Sequence, residues 1–154
     1  MPADAPRLVL EQFLPYRLNQ AAETVSRRFA SIYRDRYGLT RPEWRSLATI
    51  GQMGRTTATE IARHSSMHKT KVSRAVFALE KRGWLRRSTD PGDRRTEQLQ
   101  LTRLGRRHYE ELVAIAAEFE RDLERQIGRA AKAQLIRGLA AIEALGGPRA
   151  APIG

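Results

Sequence analysis

Apolar residues recur along most of this chain at the spacing of a helix and switch to alternation only once. Leu18, Ala22, Val25, Phe29 and Ile32 keep a 3.6-residue rhythm that predicts a long helix, opening near Pro15, running to Tyr37 and stopped by Gly38. Leu8 to Phe13 reads as a short helical lead into it. Thr40-Arg41-Pro42-Glu43 is a capping box with proline in the first turn, so a second helix starts there and extends to about Ile50. Trp44, Leu47, Ala48 and Gly51 share one face of it. A second capping box, Thr57-Ala58-Thr59-Glu60, opens a short helix with Ile61 and Ala62 inward, ended by His64-Ser65-Ser66.

The next stretch organises the rest. Val72, Ala75, Val76 and Leu79 fall at i, i+3, i+4 and i+7, predicting a helix from Lys69 to Arg82 with Gly83 at the left-handed position just past its end. The rhythm then drops to two: Leu99 and Leu101 alternate with Gln98 and Gln100. Strands over Leu85 to Thr89 and Thr96 to Leu101 flank Asp90-Pro91-Gly92-Asp93, whose proline, glycine and aspartates are turn formers. Helical spacing returns after Thr102, a cap, with Leu112, Ile115, Ala116, Phe119, Leu123 and Ile127, until Gly128 breaks it. Leu135, Ile136, Leu139, Ile142 and Leu145 mark a last helix ending at Gly146-Gly147-Pro148, and Met1 to Ala5 and Arg149 to Gly154 read as frayed tails. The expected fold class is mainly α with one small β-hairpin.

Charge changes the picture. The 154 residues carry a formal net charge of +11. Between Glu60 and Arg107 thirteen Lys or Arg face five Asp or Glu, a balance of +8, so most of the excess lies in the stretch that contains the fourth helix and the hairpin. A local concentration of this kind is an electrostatic footprint for a polyanion. On a helical wheel Thr70, Ser73, Arg74, Phe77 and Lys81 lie opposite the apolar stripe, with Lys69 near its N-terminal edge. Short hydroxyls and long cations on one face suit base and phosphate contacts in a DNA groove. The short third helix, a tight turn and this helix form a helix-turn-helix, and a hairpin with Arg94 and Arg95 at its tip, directly after it, is the winged order. Asp93 is placed to hold Arg95 while its guanidinium enters a narrow, electronegative minor groove.

Other chemistry is thin. There is no cysteine, which excludes disulfides and thiolate metal sites. No phosphate-cradling glycine loop, nucleophile elbow or zinc-protease motif is present, so the expectation is no enzyme, no catalytic residue and no cofactor. His64 and His68 have a chelating spacing, yet they straddle the predicted turn without a carboxylate cluster, and no metal site is expected. No apolar run reaches the ~18 residues of a membrane span, and the N-terminus has no signal-peptide pattern, so no membrane partner and a cytoplasmic location are expected. The long first helix and the two C-terminal helices carry stripes that the chain is too short to cover. A partner copy covering them makes a homodimer, whose two-fold axis suits a palindromic DNA site.

These residues resemble the MarR family of bacterial transcription regulators. The resemblance is carried by Gly38-Leu39-Thr40-x-Pro42-Glu43-Trp44-Arg45-x-Leu47, by Lys69-x-x-Val72-Ser73-Arg74-Ala75-Val76-x-x-Leu79-Glu80-x-x-Gly83, and by Asp90-Pro91-x-Asp93-Arg94-Arg95 followed by Leu101-Thr102-x-x-Gly105. It covers the chain from about Leu8 to Leu145. It implies one domain over 1–154, with dimerisation helices at 8–37 and 103–146 around a winged helix-turn-helix lobe at 40–101. It also implies a sequence-specific, homodimeric regulator of a nearby operon, usually a repressor, that binds a palindromic operator.

By resemblance Lys69, Thr70, Lys71, Ser73 and Arg74 are the recognition-helix contacts, and Asp93 and Arg95, with Arg86 and Arg94, are the wing contacts. Phe77 departs from the pattern: it packs on a sugar or a thymine methyl, or folds back against the wing. His68 stands where a capping aspartate is frequent. Members of the family often release DNA when a small aromatic or phenolic ligand binds, and Phe13, Tyr16, Asn19, Trp44 and Arg45 are the candidate ligand contacts here. Their second reading is packing for the aromatics and an exposed cation for Arg45. A non-specific architectural DNA-binding protein is the rival function.

Overall fold

The computed structural model describes residues 5–146. Of the expected frayed N-terminus, Met1 to Asp4 lie outside them, as do Gly147, Pro148 and the Arg149 to Gly154 tail. The chain divides at the Gly38–Leu39 junction into two compact units.

In the first unit a short 3₁₀ turn, Leu10–Gln12, leads into α1, Leu14–Tyr37. Pro15 occupies its first turn, where a missing N–H costs nothing, and Gly38 ends it in the left-handed conformation at φ 65°. Phe29 and Tyr33, one turn apart, meet edge to face at 5.5 Å.

The second unit contains α2 (Arg41–Met53), β1 (Arg55–Thr56), α3 (Ala58–Ser65), α4 (Lys69–Lys81), β2 (Leu85–Asp90), β3 (Asp93–Leu101), α5 (Arg103–Ile127) and α6 (Arg129–Glu143). The sheet is antiparallel in the order β1-β3-β2. Both capping boxes form: the Thr40 and Thr57 hydroxyls accept the Glu43 and Glu60 N–H groups, and each glutamate accepts the threonine N–H in return.

Three expectations are corrected. Helix α2 runs on to Met53, because Gly54 is the first residue to leave the helix, at φ 81°. Its buried arc is Ser46, Leu47, Thr49 and Ile50, rather than Trp44, Leu47, Ala48 and Gly51. The reason is position: α2 packs on α3, α4, α5 and β3 at once, so the arc facing the core is wide and turned toward Ile50. The hairpin strands reach the turn itself, and β1, pairing Arg55 with Gln100 and Thr56 with Leu99, adds a third strand.

Leu47, Ile50, Ile61, Val72, Val76, Leu79, Leu99 and Leu112 form the centre of the core. Ser46 lies among them at 0% exposure, and its hydroxyl has no hydrogen-bond partner among the described residues. An unsatisfied buried hydroxyl costs about 1–3 kcal/mol. Ser46→Ala removes it in a helix that favours alanine, so the variant should melt a few degrees higher. An unchanged or lower melting temperature would show that Ser46 finds a partner.

Candidate nucleic-acid interface

Helix α4 begins at His68, whose Nδ1 accepts the Thr70 N–H at 3.2 Å. The imidazole thus fills the capping role of an aspartate without bringing a negative charge to the basic face. The turn from α3 is made by Ser66, Met67 and His68, and Ser66 takes the left-handed conformation at φ 54°. Val72, Ala75, Val76 and Leu79 are buried. Lys69, Thr70, Lys71, Ser73, Arg74, Phe77 and Lys81 are all exposed, so the expected reading face is presented as a surface.

The end of α4 is closed twice. The Trp84 N–H reaches back to the Leu79 carbonyl at 3.0 Å and the Gly83 N–H to Glu80 at 2.9 Å, with Gly83 at φ 77°. This pairing satisfies the last free carbonyls and turns the chain into β2. The base of the hairpin is fixed to the next helix by Thr102. Its hydroxyl donates to the Gly83 carbonyl at 2.6 Å and accepts the Gly105 N–H at 3.1 Å, while its own N–H donates to Trp84 at 3.0 Å. Gly105 is buried against Trp84, and only glycine fits there, since a β-carbon would overlap the Trp84 carbonyl oxygen, with the carbonyl carbon at 2.7 Å.

At the hairpin tip Asp90 Oδ1 accepts the Gly92 N–H at 2.9 Å. Asp93 uses both oxygens: Oδ1 accepts the Arg95 N–H at 3.0 Å and Oδ2 the Thr96 hydroxyl at 2.9 Å. The Arg95 N–H, followed by the Thr96 hydroxyl, holds the Asp93 carboxyl below its ordinary range. The bonds therefore persist at neutral pH and weaken only as pH falls through that lowered value. Asp93 braces Arg95 through the backbone, which leaves the guanidinium out of the bond. Arg94 and Arg95 are exposed and no described carboxylate pairs with either.

The two arginines at the start of β2 differ. Register places Arg86 opposite Gln100 and Arg87 opposite Leu99. Arg86 Nη2 donates to Gln100 Oε1 at 3.0 Å, low on the hairpin rather than at its tip. Arg87 bridges two carboxylates, Glu80 of α4 at 3.1 Å and Glu97 of β3 at 2.9 Å. The Glu97 bond leads in holding its guanidinium still more firmly protonated. Sequence reasoning missed this tie. A signal existed in hindsight, since hairpin register places Glu97 diagonally across from Arg87.

The candidate ligand contacts are divided between the units. Phe13 and Asn19 are exposed and Tyr16 half-buried at the start of the first; on α2 of the second, Trp44 is half-buried and Arg45 exposed. His64 ends up on α3 and His68 caps α4. Among the described residues no group of three or more His, Asp or Glu is gathered for a metal ion, and no helix is long and apolar enough to cross a membrane.

The sequence model of the MarR family matches residues 39–96, which holds α2 to α4 and most of the hairpin. The HTH-type transcriptional regulator YwoH of Bacillus subtilis is 26% identical over 114 residues, 74% of this chain and 82% of that protein. A MarR family transcriptional regulator from Silicibacter pomeroyi superposes with a TM-score of 0.74 at 29% identity, covering 88% of this chain and 98% of that one. BpsR of Bordetella bronchiseptica, whose DNA binding is regulated by 6-hydroxynicotinic acid, has the same fold: TM-score 0.77, 20% identity, 90% of this chain and 98% of that chain.

Proposed function

We propose that this chain, which matches the MarR family of transcriptional regulators over residues 39–96, is a homodimeric repressor of a nearby operon, released from a palindromic operator by a small aromatic or phenolic ligand. The observation that carries the proposal is the exposed row Lys69, Thr70, Lys71, Ser73 and Arg74 beside a braced hairpin that carries Arg94 and Arg95 at its tip. The row offers base-edge and phosphate contacts in the major groove. The tip arginines, with Asp93 bracing Arg95 and with Arg86 lower on the wing, serve the backbone and the adjacent minor groove.

Residues 40–101 act as the reading lobe and 8–37 and 103–146 as dimerisation helices. Leu135 and Ile136 of α6 are 50% and 55% exposed, and Leu139 and Ile142 continue the same open stripe. Leu10 and Leu14 at the other end of the chain are also exposed. Apolar rows this continuous suit burial against a second copy. Phe13, Tyr16, Asn19, Trp44 and Arg45 are the proposed ligand contacts: aromatic surface, an amide and a guanidinium match a hydroxylated aromatic acid, the chemical class that acts on BpsR.

Duplexes tiled across the protein's own upstream region test the reading, at near-physiological salt with excess competitor DNA. A preference of ~10³-fold or more for one palindrome is expected, with release on addition of an aromatic acid. Equal, salt-sensitive binding to every tile would replace the repressor with a non-specific architectural protein.

A further inference from the structure

Phe77 is 60% exposed, and it is the one large apolar side chain on the open face of α4. The other apolar residues of that helix with large side chains, Val72, Val76 and Leu79, are buried. At that exposure the phenyl ring is not buried against the wing, and the tie between α4 and β2 is made instead by Glu80, which binds Arg87 at 3.1 Å. Helical spacing puts Ser73 and Arg74 one turn before Phe77 and Lys81 one turn after it, all exposed. A ring left in water gains nothing for the free protein, whereas its burial in a complex is favourable.

The edges of the bases in a major groove carry donors, acceptors and one apolar group, the thymine 5-methyl. We propose that Phe77 is a specificity-determining residue that selects thymine in each half-site by packing on its methyl group. The inference rests on the reading of α4 as the recognition helix. It adds an apolar contact to a face otherwise made of hydroxyls and cations, and it makes the site preference depend on a group that forms no hydrogen bond.

The test uses the full-length protein and the palindrome found by footprinting. Each thymine of a half-site is replaced in turn by deoxyuridine, which removes the methyl and keeps every hydrogen-bonding group. Wild type should lose about fourfold in affinity per half-site at one thymine position, as expected for one buried methyl. Phe77→Ala should bind thymine and deoxyuridine duplexes alike, and Phe77→Leu should retain part of the discrimination. If Phe77→Ala still discriminates, or wild type discriminates at no position while binding the palindrome tightly, the inference is overturned and the repressor reading stands. If wild type prefers no palindrome, both fall together.

Discussion

Gly105→Ala is expected to lower the melting temperature by roughly 10 °C, from ~3 kcal/mol of overpacking at a site that cannot yield. In an open helix the same change would stabilise by about 1 kcal/mol, so its sign here measures the packing. The added carbon would lie 2.7 Å from the Trp84 carbonyl carbon and 2.9 Å from its Cα. Those atoms are backbone, and they are held by the bonds of Trp84 to Leu79 and Thr102 at 3.0 Å each. Gly51 offers a graded comparison. The atoms nearest to a β-carbon there belong to the ring of Tyr109, a side chain able to turn away, so Gly51→Ala should cost less. Thermal melts followed by circular dichroism would check both. A Gly105 variant as stable as wild type would mean that α5 approaches the start of the wing less closely than described.

Arg74→Ala should weaken operator binding by on the order of five- to 150-fold, the range of about 1–3 kcal/mol for a base contact. Arg87→Ala should cost only a few-fold, although both residues are arginines of the same basic stretch. Arg74 is exposed, and no described carboxylate pairs with it; Arg87 is bound to Glu80 and Glu97 at 3.1 and 2.9 Å. A guanidinium already engaged by two carboxylates has little net charge to offer a phosphate. Titrations at several salt concentrations separate the roles, because losing a phosphate contact also reduces the salt slope by about 0.9. Equal losses for the two variants would show that the Arg87 bridge opens on DNA.

Local chemistry made most of the fold readable. The threonine caps at Thr40, Thr57 and Thr102 and the glycine stops at Gly38, Gly83 and Gly128 act within a turn of themselves, so their effect follows from neighbouring residues. What escaped depends on distant partners. The strand β1 has only Arg55 and Thr56, too few to show alternation, and exists because β3 lies beside it. The inward arc of α2 includes Ser46 and Thr49, polar residues that periodicity counts as outward until the surrounding elements are placed. Within the candidate interface, residue type alone marked Arg86, Arg94 and Arg95, but the difference between a bound and an open guanidinium is a matter of register.

The closure of the hairpin at Thr102 has a further consequence. The Thr102 hydroxyl and N–H fasten Gly83 and Trp84, so the wing leaves and rejoins the body of the lobe at one point. Chain inserted at Pro91 and Gly92 lengthens a loop whose ends are already together, and doubling such a loop adds only ~0.6 kcal/mol of closure entropy. The tip is therefore a graftable segment: its length and side chains can diversify, by evolution or by engineering, while the geometry of α4 stays constant.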